Sequence, residues 1–191
     1  MRGMKITLIV LAVILIAVIG YVSAGGYNIA ADEPHWKVTS SLLAFVRERS
    51  IDAHAKNVEV PKDLDNPARI ARGAGMYDEM CVSCHLAPGI TNTELRKGLY
   101  PQPPALASHL HPDLKEVFYI ISHGIKMTAM PAWGKSHTPD QIWDMVAFLQ
   151  KLPELTPEQY KTMTADTDPH SHGHEHDHGH EKSQIRCGGD G

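Results

Sequence analysis

The sequence predicts an all-α fold, and three observations carry this prediction. Apolar residues recur at helical spacing in three segments between residues 66 and 152. Helix-start signals precede two of these segments, and glycine or proline follows two of them. No segment alternates cleanly enough between apolar and polar residues to indicate a sheet. The predicted domain, roughly 90 residues long, is small enough to need an added group to complete its core.

The first predicted helix runs to about Met80 and begins after Asn66, an N-cap residue followed by proline at the first helical position. Its apolar face consists of Ile70, Ala74 and Tyr77. Gly73 lies on the neighbouring turn, where a small residue allows a second helix to cross at close range. This helix is therefore expected to pack directly against another one.

The second and third predicted helices follow further along the chain. The second spans about residues 111–122 and ends at Gly124. The third begins at Thr138, which is followed by proline and by a capping-box glutamine, and it ends before Pro153. Their apolar faces consist of Leu114, Val117, Phe118 and Ile121, and of Ile142, Met145, Val146 and Leu149. Residues 156–159 repeat the start signal for a short final helix.

The most informative motif is Cys81-Val82-Ser83-Cys84-His85, directly after the first helix. Cys-x-x-Cys-His is the pattern of covalent c-type haem attachment. Two thiols at this spacing can each add to one vinyl group of a single haem, and the adjoining histidine is then held under the iron as its proximal ligand. A redox disulfide and half of a zinc site are the alternatives. A zinc site would need a second Cys/His pair in the fold, and the only other cysteine is Cys187 near the end of the chain.

Met130 is the predicted second ligand of the haem iron. It lies in a loop with proline and glycine, residues 126–134, from which a thioether can approach the opposite haem face. Pro131 removes a backbone donor and stiffens this approach. Methionine–histidine ligation is an established arrangement in electron transfer and raises the reduction potential. Met127 is the fallback ligand, and Met145 is predicted to lie in the core, where methionine is usually found.

Two further residues are candidates for haem binding. Tyr100 lies in the proline-rich segment 98–106, which is either a rigid connector or a wall over one haem edge, with Tyr100 or a neighbour reaching a propionate. Trp133 is expected to line the haem pocket or to cover it from outside. The predicted cofactor site is thus Cys81, Cys84, His85, Met130, Tyr100 and Trp133.

The first 24 residues are predicted to form an uncleaved transmembrane anchor. Arg2 and Lys5 precede an apolar run that extends to Ala24, and roughly 20 residues are needed to cross a membrane. The alternative is a cleaved signal peptide, because residues 22–24 offer a small-residue cleavage site. The basic flank favours a cytoplasmic N-terminus. The predicted location is therefore the bacterial inner membrane, with the haem domain facing the periplasm.

The remaining parts of the chain are assigned by composition. Residues 25–65 are predicted to be a periplasmic linker with a helix over 39–55. This helix could pack on the haem domain or rest near the membrane surface. The preferred expectation is that residues 32–66 as a whole form a plain spacer. Residues 66–165 form the haem domain. Residues 166–191 are predicted to be a disordered His-rich tail. Six histidines alternate with other residues in this tail: His170, His172, His174, His176, His178 and His180. They suit labile binding of Cu, Ni or Zn ions. The alternative is a solvated tail that binds no metal.

These residues together resemble the class I cytochrome c family, in particular the monohaem domains related to the c-type subunits of haem–copper oxidases. The likeness covers about residues 66–152. Its pieces are Gly73 and Tyr77 before the Cys-x-x-Cys-His motif, then His123-Gly124-Ile125-Lys126, Met130-Pro131-Ala132-Trp133-Gly134 and residues 143–149. The resemblance implies that the first and last helices cross, with Gly73 and Tyr77 meeting Trp143 and Ala147, and that one haem edge is exposed for electron exchange.

The sequence therefore predicts a membrane-tethered monohaem cytochrome c that is an electron carrier and not an enzyme. Its expected partners are respiratory complexes or periplasmic reductases and oxidases, and the formal net charge of -4 gives no indication of nucleic-acid binding. A haem enzyme or gas sensor is the alternative, and it requires Met130 to be absent from the iron or easily displaced. Metal handling by the tail is a further alternative.

Overall fold

The computed structural model describes residues 2–108 and 112–165, and no strand occurs among them. The α-helices in chain order are α1 (Arg2–Ser23), α2 (Lys37–Ala55), α3 (Pro67–Met80), α4 (Val82–His85), α5 (Glu94–Lys97), α6 (Leu114–His123), α7 (Pro139–Lys151) and α8 (Pro157–Ala165). Two short 3₁₀ turns, Trp133–Lys135 and Leu152–Glu154, flank α7. The predicted all-α fold is confirmed. The His-rich tail lies outside the described residues.

The helix starts follow the capping signals of the sequence. The Asn66 side chain accepts a hydrogen bond from the Ala68 N–H at 2.9 Å and begins α3. Thr138 and Gln141 form a full capping box at the start of α7, which confirms the predicted boundary. Helix α6 begins at Leu114, later than the predicted start at about residue 111. Its start is determined by Asp113, whose side chain accepts a hydrogen bond from the Lys115 N–H at 2.8 Å.

The crossing of α3 and α7 is the centre of the core. A Cβ atom at Gly73 would lie 2.0 Å from the Asp144 carbonyl oxygen, so only glycine permits the two backbones to approach this closely. The Tyr77 ring lies 5.4 Å from the ring of Phe148 in α7. The implied crossing of the first and last predicted helices is confirmed. The α7 residues whose atoms lie nearest to Gly73 are Asp144 and Phe148. The Trp143 ring stacks on Phe118 of α6, with ring centroids 4.3 Å apart. The expected contacts of Trp143 and Ala147 with Gly73 and Tyr77 stay predictions.

A buried carboxylate strengthens this crossing. Asp144 is 4% exposed and accepts hydrogen bonds from two arginines of α3 that are one turn apart. Arg69 donates through one terminal nitrogen at 2.7 Å, and Arg72 donates through Nε at 2.7 Å and through a terminal nitrogen at 3.1 Å. The charge of Asp144 is thus compensated by groups that belong to the neighbouring helix.

Helix α2 packs on the domain, so the preferred expectation of a plain spacer is wrong for this segment. Ile51 and Ala55 are buried, and the His54 ring stacks on the Tyr119 ring of α6 at 5.8 Å. The Lys115 ammonium donates to the Lys56 carbonyl oxygen at 3.2 Å just beyond the end of α2. Two buried apolar side chains near the C-terminal end of α2, together with the His54–Tyr119 stack, thus attach it to the domain.

Candidate haem site

The Cys-x-x-Cys-His motif forms a single helical turn directly after α3. The Cys81 N–H donates to the Tyr77 carbonyl oxygen at 2.9 Å, and the His85 N–H donates to the Cys81 carbonyl oxygen at 2.8 Å. Cys81 and Cys84 are half-buried, and both thiols are free of a disulfide. The turn therefore presents two free thiols, followed at once by an imidazole, from one short segment.

The electrostatics of this turn do not fit a redox dithiol. Burial, and secondarily the nearby Cys84, raises the pKa of the Cys81 thiol to about 12. Reactive cysteines in redox motifs have lowered pKa values, because the thiolate is the attacking species. Among residues 2–108 and 112–165, no cluster of three histidine, cysteine or acidic side chains could hold a metal ion. The raised pKa of Cys81 therefore disfavours the redox disulfide alternative.

His85 is held in the orientation that a metal ligand needs. Its Nδ1–H donates to the Pro104 carbonyl oxygen at 3.0 Å. A carbonyl oxygen can only accept, so Nδ1 carries the proton and the lone pair of Nε2 is left for a metal. Burial lowers the pKa of His85, which favours the neutral imidazole. The Leu106 N–H also donates to the His85 carbonyl oxygen at 3.1 Å, so the proline-rich loop fixes both parts of the residue.

The chain turns sharply just after His85. Leu86 is buried and has φ of 64° and ψ of 173°, a conformation that costs a residue with a Cβ about 1–3 kcal/mol. The Tyr77 hydroxyl donates to the Leu86 carbonyl oxygen at 2.6 Å inside the core. This buried bond from α3 holds the turn and, with it, the end of the motif.

A second loop brings Met130 toward the core. Gly124 ends α6 with φ of 64°, and a Cβ there would lie 2.6 Å from the Met130 carbonyl oxygen. The Ile125 N–H donates to that same oxygen at 3.2 Å, and the Met130 N–H donates to Thr128 Oγ1 at 3.1 Å. Met130 is half-buried against the hydrophobic core, whereas Met127 is 76% exposed. The loop therefore favours Met130 over Met127 as an inward-facing ligand.

The other sequence candidates have mixed positions. The Tyr100 hydroxyl accepts a hydrogen bond from the His35 N–H at 3.1 Å, so the proline-rich loop is joined to the segment before α2. Trp133 begins a 3₁₀ turn and packs, half-buried, against the core, with its ring 5.5 Å from that of His137. Contact of either ring with a haem stays a prediction. Met145 is buried in the core as expected.

Sequence reasoning missed the residue that orients His85. Pro104 acts through its backbone oxygen, and no pattern in the sequence indicates that this oxygen lies beside the side chain of a residue 19 positions earlier. The only available signal was the run of prolines, which indicates a rigid segment. Arg69 and Arg72 were also missed, although two arginines one turn apart on a core helix point to a shared acidic partner.

The donor set of this site fits a covalent haem c: two free thiols, a neutral imidazole with Nε2 available, and a half-buried thioether. A comparison with protein families matches residues 68–149 to the model described as cytochrome c oxidase, cbb3-type, subunit III. Residues 68–149 form a class I c-type cytochrome domain. A search of the curated proteins found no match.

The family match includes α3, the Cys-x-x-Cys-His turn, Met130 and most of α7, and it leaves α1, α2 and α8 outside. The cytochrome domain is of the haem-binding, electron-transfer kind, which implies a covalently attached haem c. The resemblance found in the sequence is thus confirmed for the central part of the chain.

Proposed function

We propose that this chain is a membrane-tethered monohaem cytochrome c that carries single electrons and has no enzymatic activity. One observation carries the proposal: the Nδ1–H of His85 is bound to the Pro104 carbonyl oxygen at 3.0 Å, beside two free thiols. That arrangement leaves the lone pair of Nε2 for a metal. In the proposed division of the chain, residues 1–24 are the anchor, 25–65 join it to the haem domain of 66–165, and 166–191 are the tail.

Four residues of the domain would hold the haem: Cys81, Cys84, His85 and Met130. Bound haem supplies a one-electron iron couple. The Cys81 and Cys84 sulfurs would hold the haem by thioether bonds, and His85 Nε2 and Met130 Sδ would bind its iron. A thioether ligand would favour the reduced iron and raise the reduction potential. With both residues bound to the iron, no open site would remain for a substrate, as a carrier requires.

Tethering is proposed from α1. This helix is long and apolar enough to cross a membrane by length and composition, which also fits a signal sequence. Arg2 and Lys5 at its start favour a cytoplasmic N-terminus and a periplasmic haem domain. A tether raises the effective concentration of the haem domain near membrane partners.

The proposed partners are redox proteins of the respiratory membrane. The matched family description names a subunit of an oxidase, which supports an oxidase complex as the electron acceptor. Electron exchange would use transient contacts of small area around the haem edge.

The carrier function is tested by carbon monoxide binding to the full chain with its haem, purified in detergent. We expect the spectrum of the reduced protein to stay unchanged when carbon monoxide is added at neutral pH, because Met130 occupies the distal position. Ready formation of a carbon monoxide adduct would contradict the carrier function and favour a haem enzyme or gas sensor.

The tether is tested separately. Haem-stained protein should remain in carbonate-washed membranes, and N-terminal sequencing of that protein should begin before residue 24. Recovery of the haem protein in the soluble fraction with a start near residue 25 would show a cleaved signal peptide instead.

A further inference from the structure

Helix α2 has apolar residues on two opposite faces. Ile51 and Ala55 are buried on the side of the helix that faces α6. On the opposite side, the residues at i, i+4, i+7 and i+8 are all large, apolar and between 55% and 81% exposed: Val38, Leu42, Phe45 and Val46. This set is named the outer face of α2. A soluble helix normally presents polar residues on such a face, so the outer face needs a partner.

The start of α2 lies beside the end of α1. Trp36 precedes α2, and its ring lies 6.2 Å from the ring of Tyr21 in the last turns of α1. Tyr27, in the connecting segment, places its ring edge-on to Trp36 at 5.2 Å, and its hydroxyl is hydrogen-bonded to His35 Nδ1 at 2.7 Å. Tyrosine and tryptophan are the residues enriched where a transmembrane helix leaves the bilayer. The outer face therefore begins close to the end of α1, where a membrane-spanning α1 would reach the lipid headgroups.

We propose that the outer face of α2 lies on the lipid bilayer surface, in the leaflet where α1 ends. The inference rests on the proposed anchoring of α1. Lipid is the partner that the structure favours for the outer face. The ring contacts of Trp36 hold the start of α2 beside the end of α1, and therefore close to the bilayer that α1 would span. Because α6 covers the inner side of α2, the outer face is the apolar side that is left for contact with the plane of the lipid headgroups. Arg49 continues the outer face at its far end, where its guanidinium is 69% exposed and 3.5 Å from Asp52, and it is placed to meet lipid phosphates.

This placement orients the haem domain. Helix α6 packs on the inner side of α2, so the cytochrome domain lies on the side of α2 away from the bilayer. The bond from the His35 N–H to the Tyr100 hydroxyl also joins the segment before α2 to the proline-rich loop that holds His85. The domain would thus be carried in one orientation over the membrane, and only part of its surface could meet membrane partners.

The test uses nitroxide spin labels on the full-length protein with its haem, in vesicles of phosphatidylcholine and phosphatidylglycerol. Each label is attached to one introduced cysteine in a Cys187→Ser background, where the haem-bound sulfurs of Cys81 and Cys84 do not react. The labelled variants are Leu42→Cys and Phe45→Cys on the outer face, Glu48→Cys as the control off that face, and Ile14→Cys in the middle of α1. Power saturation then compares accessibility to oxygen, which partitions into lipid, with accessibility to a water-soluble nickel chelate.

We expect the labels at positions 14, 42 and 45 to be more accessible to oxygen, and the label at position 48 to the nickel chelate. Lipid exposure at position 14 with aqueous exposure at 42 and 45 would overturn the inference and leave the anchor intact. Aqueous exposure at position 14 would overturn the anchor and the inference together. Spin–spin broadening at 42 and 45 that disappears on dilution with unlabelled protein would identify a second copy as the occupant and also overturn the inference.

Discussion

The two proposed iron ligands are held in different ways. His85 is fixed by hydrogen bonds on both its side chain and its backbone, to Pro104 at 3.0 Å and from Leu106 at 3.1 Å. Met130 is hydrogen-bonded through its backbone, to Ile125 at 3.2 Å and Thr128 at 3.1 Å, and its side chain packs half-buried against the core. A thioether is at most a weak hydrogen-bond acceptor, so packing and the metal itself must direct it.

The His85 side of the site is therefore fixed by a hydrogen bond from its imidazole. The Met130 side, called the adjustable side, has no such bond to the side chain of its ligand among the residues that the structure describes. The His85 side is held by the fold itself, because the bond to the Pro104 carbonyl oxygen orients the imidazole. The Met130 side depends on how a short loop folds against the end of α6. Loss of a ligand is therefore expected first at Met130, and this is also where a carrier and a gas sensor would differ.

The largest effect should come from removal of the fixed ligand. We expect His85→Ala to abolish nearly all covalent haem in the membrane fraction, because the ring then lacks its proximal ligand while the thiols remain. Haem staining after denaturing electrophoresis measures this loss. His123→Ala is the matched control, since His123 is an exposed residue at the end of α6. Equal haem content in both variants would show that His85 is not a ligand.

The next effect concerns the crossing that supports the His85 side. Asp144→Asn should lower the free energy of unfolding by about 2–4 kcal/mol, because two arginines lose the charge that compensates them. Asp140→Asn is the control: Asp140 is 84% exposed and lies 3.4 Å from Arg69. A surface pair of this kind contributes less than about 1 kcal/mol. Denaturant titration of both proteins with haem bound measures the two values, and similar losses would contradict the assignment of Asp144 as the buried partner.

A smaller effect is expected on the adjustable side. Gly124→Ala should lower the free energy of unfolding by about 1–3 kcal/mol, because alanine is strained at φ of 64° and its Cβ would press on the Met130 carbonyl oxygen. The same variant should bind carbon monoxide when reduced, because the Met130 loop is displaced. An unchanged spectrum in carbon monoxide, together with the loss of stability, would show that the loop does not control the distal ligand.

Local signals in the sequence predicted much of this fold. Caps at Asn66 and Thr138 act within four residues, so the starts of α3 and α7 could be assigned without any knowledge of the tertiary structure. Gly73 likewise predicted a close crossing, because a glycine on a packed helix has few other uses. The sequence did not single out Asp144 and Phe148, whose atoms lie nearest to Gly73, because the residues at a crossing depend on the rotation of α7, and tertiary packing determines that rotation.

The contacts missed from the sequence are all long-range and polar. The Pro104 carbonyl oxygen is a backbone group, and any residue at that position would offer the same acceptor. Aspartate is mostly an exposed residue type, yet the Asp144 side chain is 4% exposed between two arginines, and the sequence analysis did not single it out. The packing of α2 on α6 depends on Ile51 and Ala55, two apolar residues among many in a segment without strong periodicity.

The identity of the distal ligand is the central claim, and matched methionine variants test it most directly. The optical spectrum of the oxidised full-length protein is recorded for Met130→Ala and for Met127→Ala beside the unchanged chain. We predict that the weak red charge-transfer band of sulfur-ligated iron is present in the unchanged chain and in Met127→Ala, and is lost in Met130→Ala. Loss of the band in Met127→Ala with retention in Met130→Ala would contradict the account.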